Sequence, residues 1–386
     1  MKKKLSALLA LVMTLTCLTA CGQSAAPETT PEPTATPEAT PAPKKDPDRY
    51  DLAYAAYAPD DVVLTVDGIG VTWAEYYYWI HTVAYQVQQM TALQDGAEVD
   101  WSAALDAEHT YQSYAESFAR DTLTQYVVVE EQAEALGIEL SEGEQAEIDA
   151  IYAEDVAEYG DGDEAAFADY LAGCFIPREM YDKMNTLSVY YLKLFEHYFG
   201  EMGASLPDAD ALAYAGDAGY MHAKHILIRT VDDGGSPLSD KEIEAAHARA
   251  EKLLSQLKAL SGEELEEKFD ELMNENSEDG GLVTAPDGYY FTPGKFVQPF
   301  EDAVNALADG EMYPELVEST YGYHIILRLP MDVDEPMDYT GYTLRYIAAS
   351  ALFSNMSEEW FDSAEVEYTD KFANLDFNTL FAAPEK

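Results

Sequence analysis

Two short apolar segments, each carrying a histidine, constrain this chain most: Ala223-Lys224-His225-Ile226-Leu227-Ile228-Arg229 and Tyr321-Gly322-Tyr323-His324-Ile325-Ile326-Leu327-Arg328. Runs of this length, rich in isoleucine and bounded by turn residues, read as strands. Alternation puts His225, Leu227 and Arg229 on one face of the first strand, and Lys224, Ile226 and Ile228 on the other. Between the two segments lie the acid-glycine stretch Asn276-Ser277-Glu278-Asp279-Gly280-Gly281 and the aromatic stretch Phe291-Thr292-Pro293-Gly294-Lys295-Phe296-Val297-Gln298-Pro299-Phe300-Glu301. Taken singly, a strand histidine is ordinarily a hydrogen-bonded core residue and Ser-Glu-Asp-Gly-Gly an ordinary turn. Their order along one stretch carries the information.

Capping patterns supply the helices around these strands. Ser239 with Glu242 opens a helix that faces inward through Ile243, Ala246, Ala250, Leu253, Leu254 and Leu257. Ser261 with Glu264 opens the next, with Leu265, Phe269 and Leu272 as its apolar side. A third, short helix begins at Pro299 and includes Phe300, Val304 and Leu307. Strands over residues 289–292, 316–318 and 323–329 complete a small antiparallel sheet.

In this order the pieces resemble a parvulin-type peptidyl-prolyl cis-trans isomerase, and the flanking chain resembles the PrsA and SurA foldases. The resemblance implies rotation about an Xaa-Pro amide, with no cofactor and no metal. It carries paired-histidine roles onto His225 and His324, a carboxylate close to the substrate carbonyl onto Asp279, and a hydroxyl onto Ser319, at a one-residue offset arising near Tyr313-Pro314. The proline-pocket roles fall on Phe296 and Phe300. Neutral imidazole is both donor and acceptor, so two such rings can fix one another's tautomer. The Asp279 carboxylate either raises the energy of the charge-separated planar amide or tunes the histidine pair. One departure stands out: the family's Gly-Asp-Leu-Gly appears here as Ala285-Pro286-Asp287-Gly288-Tyr289-Tyr290, leaving Gly288 without the leucine contact, a space for Tyr289 or Tyr290 to fill. His222 and His225 have H-x-x-H spacing, but on a strand their odd separation puts them on opposite faces, against a metal pair.

The rest of the chain reads as α+β, with the parvulin-like domain (220–330) inserted into a mainly helical SurA/PrsA-like domain formed by residues 60–212 and 335–386. Val62 to Val66 forms a strand entering the Asp67-Gly68 turn, Thr72 with Glu75 caps a helix bearing Tyr76, Tyr77, Tyr78 and Trp79, and a second long helix spans roughly 102–136. Ser141 with Glu144 caps another helix, and Pro177 opens one through Phe195. The tail, a helix over about 342–361 and a strand at Val366-Glu367-Tyr368, cannot form a core alone, and the resemblance has it return to the first strand. The aromatic stripes serve either as core or as an exposed cradle for unfolded chains.

At the start, Lys2, Lys3 and Lys4, an apolar run from Leu5 to Leu18 and the sequence Leu18-Thr19-Ala20-Cys21 resemble a bacterial lipoprotein signal (1–20), which implies cleavage before Cys21 and its lipidation. A tether of Pro, Thr, Ala and Glu follows (21–59). Cys174 reads as a buried apolar residue rather than a nucleophile. With 22 Lys and Arg against 73 Asp and Glu, a net charge of −51, phosphate backbones would be repelled, so nucleic acid is excluded as a partner. The sequence thus points to a membrane-anchored, extracytoplasmic isomerase acting on newly exported polypeptides with Xaa-Pro bonds, a Gram-positive surface being preferred over a periplasmic lipoprotein. An inactive holdase is the alternative, and a transporter's solute-binding lipoprotein explains the anchor but not the histidines.

Overall fold

The computed structural model describes residues 57–94, 99–337, 340–370, 372 and 375–381. The signal segment, Cys21 and all but the last residues of the tether lie outside them. Contacts divide the chain into two units, one running to Leu194 and resuming at Asn355, the other Phe195–Ser354.

In the first unit, β1 (Val62–Val66) turns at Asp67 and Gly68 into β2 (Ile69–Thr72), and the late strand β7 (Val366–Tyr368) pairs antiparallel with the other edge of β1, Val66 opposite Val366. Helix α1 (Trp73–Gln94) starts where Glu75 accepts from the Thr72 backbone N–H, and it buries Trp73, Tyr76, Tyr77, Tyr78 and Trp79. Those described aromatics are core, not an exposed cradle.

Helix α2 (Tyr111–Ala135) begins later than the 102 that its sequence suggests, because Thr110 and Ser113 form the capping box and the turns before it are closed by an isolated bridge between Ala104 and Thr110. Helix α3 (Glu142–Tyr159) has the Ser141/Glu144 box, α4 (Glu164–Gly173) was not foreseen, and α5 (Arg178–Phe199) follows Pro177. Cys174, at the end of α4, is half-buried rather than buried. A groove of about 220 Å³ between α3, α4 and the start of α5 is lined by Tyr152, Phe167, Leu171, Ile176 and Pro177, with Arg178 at its edge.

The second unit opens with the end of α5 and with α6 (Asp208–Ala218), also unforeseen. Its sheet has the order β4-β3-β6-β5: β4 is Tyr289–Phe291, β3 is Met221–Arg229, β6 is Gly322–Leu329 and β5 is Val317–Glu318, all antiparallel. Helices α7 (Asp240–Leu257) and α8 (Glu263–Asn276) cover one face, packing Leu253, Leu254, Leu257, Leu265, Phe269 and Leu272 on Ile226, Ile228, Ile325 and Leu327. Helix α9 (Gln298–Asn305) covers the other, with Phe300, Ala303 and Val304 against Met221, Ala223 and Ile326. Helix α8 is not capped by Ser261: Gly262, at a φ of 60°, occupies the cap without a side-chain bond, so the helix starts at Glu263.

The unit extends beyond residues 220–330 for a physical reason. Arg345, near the start of α10 (Leu344–Ser363), donates to Asp334 at 2.7 and 2.9 Å, to Asp208 at 2.6 Å and to the Leu206 carbonyl, and so ties the chain entering the sheet to the chain leaving it. Among the described residues, no helix is long and apolar enough to cross a membrane.

Candidate active site

Both central strands aim a histidine at the face covered by α9. His225 lies opposite Ile326 and His324 opposite Leu227, so the two imidazoles are diagonal neighbours, and their Nδ1 atoms stand 2.9 Å apart. Both rings are buried, with exposures of 4% and 3%.

The acid-glycine loop reaches this pair by docking on the stretch of β3 that β4 leaves unpaired. Glu278 N–H donates to the Leu227 carbonyl at 2.8 Å, the Leu227 N–H to Ser277 Oγ at 3.1 Å, and the Arg229 N–H to Glu278 at 2.7 Å. Arg249 of α7 holds the loop from outside through Glu278 and the Asn276 carbonyl. Asp279 then places Oδ2 3.0 Å from His225 Nε2, while its Oδ1 accepts the Gly281 N–H at 3.1 Å. At the far end, Ser319 Oγ lies 2.6 Å from His324 Nε2. The structure therefore brings His225, Asp279, His324 and Ser319 into one hydrogen-bonded line.

Proton bookkeeping gives that line a direction. Burial alone would raise the Asp279 pKa, but bonds from His225, Tyr289 and the Gly281 N–H outweigh it and hold the carboxyl well below the usual carboxylate range. An ionised Asp279 only accepts, so His225 donates from Nε2 and, when neutral, has a bare Nδ1. His324 must then donate from Nδ1, which leaves its Nε2 to accept from the Ser319 hydroxyl. Consistently, Ser319 Oγ is itself free to accept the Tyr321 N–H at 3.1 Å. Burial, reinforced by His225, pulls the His324 pKa down to about 3, so this ring is neutral at ordinary pH.

Beside the histidines lies an aromatic cluster. Phe300 meets His225 and His324 edge-to-face, at 5.2 and 5.8 Å between centroids, and Phe296 stacks on Phe300 at 4.9 Å. Phe300 has no exposed surface. It is thus the floor under Phe296, and the half-buried Phe296 is the ring of this pair that reaches the surface. The buried carboxylate of Glu301 fixes Phe296 by accepting the Gly294 and Phe296 N–H groups at 2.9 and 2.8 Å.

Two residues gain a role only in the structure. Glu301 is one. The other is Tyr289, which the sequence offers only as filler for the missing leucine, whereas its hydroxyl donates to Asp279 Oδ2 at 2.5 Å. No spacing rule links residues 279 and 289; only the crossing of loop and strand does. Tyr290 points elsewhere, stacking on His222 at 3.8 Å and donating to Glu335 at 2.9 Å. His222 is occupied by that stack and by the Pro330 carbonyl, 2.9 Å from Nδ1, and burial lowers its pKa. Among the described residues, no group of three or more His, Cys, Asp or Glu side chains is arranged to hold a metal ion.

Residues 212–328 match the family model of the PPIC-type PPIase domain. Among similar proteins, Cbf2 of Campylobacter jejuni, provisionally named a peptidyl-prolyl cis-trans isomerase, is 30% identical over 155 residues, which cover 38% of this chain and 51% of that one. The chaperone SurA of Nitrosospira multiformis is 33% identical over 153 residues, 38% of this chain and 31% of its own length. The chain thus spans about half or less of these relatives. The crystal structure of PrsA from Bacillus subtilis aligns over 84% of this chain and all of that one at 19% identity, with a TM-score of 0.23. Paired histidines on neighbouring strands, the docked Asp279 and the matching family model together make residues 212–328 a PPIC-type PPIase domain.

Proposed function

We propose that this chain is a peptidyl-prolyl cis-trans isomerase that assists the folding of exported polypeptides. The observation that carries the proposal is the line Asp279, His225, His324, Ser319 beside the aromatic surface of Phe296. Rotation about an Xaa-Pro amide is slow because the C–N bond has partial double-bond character, with a barrier of about 18–20 kcal/mol. Catalysis therefore needs a site that favours the twisted amide over the planar one. Phe296 offers the proline ring an apolar seat over Phe300. An ionised carboxylate near the substrate carbonyl penalises the planar form, whose oxygen carries resonance charge, and relaxes that penalty as the bond twists. His225 and, behind it, the neutral His324 with Ser319 keep Asp279 oriented toward the site.

The lysines at positions 2–4, the apolar run to Leu18 and Cys21 support a lipid anchor on the extracytoplasmic side, with residues 220–330 as the isomerase part and the flanking segments as a chaperone part. Protease-coupled isomerisation of Xaa-Pro peptides tests the central claim. Wild type should accelerate isomerisation over buffer, and Asp279→Ala or His225→Ala should lower kcat/KM about tenfold or more.

One observation favours a second reading. Phe300 is wholly covered and an apolar groove lies open between α3, α4 and α5, as a holdase without turnover would have. A wild type that leaves isomerisation at the buffer rate yet suppresses aggregation of an unfolded client would replace the first reading with this one.

A further inference from the structure

Tyr289 lies on β4 opposite Ala223, two residues along β3 from His225. Its ring meets His225 edge-to-face at 5.9 Å and Phe296 at 5.2 Å, so it spans the space between the histidine line and the aromatic seat. Its hydroxyl reaches the same Asp279 oxygen that receives His225 Nε2, at 2.5 Å against 3.0 Å. Gly281 leaves room for that hydroxyl: a Cβ there would stand 2.1 Å from the phenol oxygen.

Asp279 is therefore held by three donors from three directions: His225 on β3, Tyr289 on β4, and the Gly281 N–H on its own loop. The other ionisable groups nearby are engaged elsewhere. Glu278 is turned to Arg249 and the Arg229 N–H, and His324 is one bond further along the line. We infer that Tyr289 is a positioning residue of this site, whose hydroxyl keeps the Asp279 carboxylate ionised and aimed at His225 and so sets the direction of the protons through His225, His324 and Ser319. The inference rests on the isomerase reading for its catalytic consequence but not for its geometry. A phenol beside a carboxylate stays protonated, since burial and the Asp279 charge both oppose its ionisation, so it donates over the whole working range. With the hydroxyl removed, Oδ2 keeps only the His225 bond, the protonated carboxyl becomes easier to form, and the carboxylate is free to turn toward water.

Tyr289→Phe in the full chain tests this, because it deletes the hydroxyl and keeps the ring against Phe296. NMR titration of the Asp279 carboxyl carbon and the His225 and His324 ring nitrogens reads the effect directly. The Asp279 titration should rise by about one to two pH units, the size expected for losing one hydrogen bond to a charged acceptor. Gly281→Ala, which displaces the phenol from the other side, should move it the same way. Isomerisation should show a matching upward move of the acidic limb of kcat/KM, with roughly a tenfold lower rate on that limb. Unchanged titrations in Tyr289→Phe overturn the inference, as does a lower rate with an unmoved acidic limb. Moved titrations in a protein whose wild type does not isomerise Xaa-Pro bonds uphold the positioning role while overturning the isomerase reading, so the two failures are distinct.

Discussion

His324 shows how much one buried side chain commits the domain to a protonation state. Its pKa in the folded chain, pulled down by burial to about 3, lies below the ordinary imidazole value of 6.5. Between those two pH values the unfolded chain binds more protons than the folded one. The stability that the neutral ring contributes is therefore complete above pH 6.5 and is lost as the pH falls toward 3, on the order of 3 kcal/mol by pH 4. Asp279 acts with the same sign at lower pH, since its pKa is also depressed. Urea titrations followed by hydrogen exchange on β6 should show wild type losing this stability between pH 6.5 and 4, and His324→Gln losing markedly less over the same interval. Of the site residues, the two histidines and Asp279 were legible through the family resemblance that their order along the chain carries; alternation gives His225 its face, but turn chemistry alone leaves Asp279 an ordinary loop acid. The bond from Tyr289 was not, because it depends on where an unpaired edge of β3 receives the loop.

Elements were legible where the local code was complete. The boxes at Thr72 and Glu75, Ser141 and Glu144, and Ser239 and Glu242 each start a helix, because side chain and backbone satisfy one another within four residues. Ser261 with Glu264 has the same spacing, yet Gly262 takes the cap, so the pattern is necessary chemistry without being sufficient. Helix α6 escapes because its buried positions are alanines, Ala211 and Ala215, and α4 because it is short and buries only Phe167 and Leu171, which leaves little periodic contrast in either. At the head of β6, Gly322 has a φ of 147°, and a Cβ there would stand 2.1 Å from the Ile228 carbonyl oxygen. This close approach lets β6 start flush against the end of β3 and brings His324 into register with Leu227. Gly322→Ala should cost about 3 kcal/mol through backbone displacement and should weaken hydrogen-exchange protection at Ile325 and Leu327 first.

At the scale of the molecule, the two units carry separate reporters. All four tryptophans, Trp73, Trp79, Trp101 and Trp360, belong to the unit that runs to Leu194 and resumes at Asn355, so tryptophan fluorescence follows that unit alone. Thr369, just past β7, donates its N–H to the Val63 carbonyl at 2.9 Å and its hydroxyl to the Val62 and Val63 carbonyls. Thr369→Pro removes those donors and should destabilise this unit by about 2–3 kcal/mol, seen as an earlier tryptophan transition in urea. The isomerisation rate per folded molecule should stay as in wild type; a loss of rate in step with the fluorescence would show that the two units depend on one another.

The pairing of Val66 with Val366 also bears on how the chain is born. A ribosome releases β1 before the whole of the histidine-bearing sheet, but the strand that completes the sheet of β1 emerges only after it. The histidine-bearing sheet, whose partners all lie between, can close while synthesis continues. The sheet of β1 thus waits, half-finished, while the inserted one closes, and any factor that shields nascent chains has the longer hold on β1.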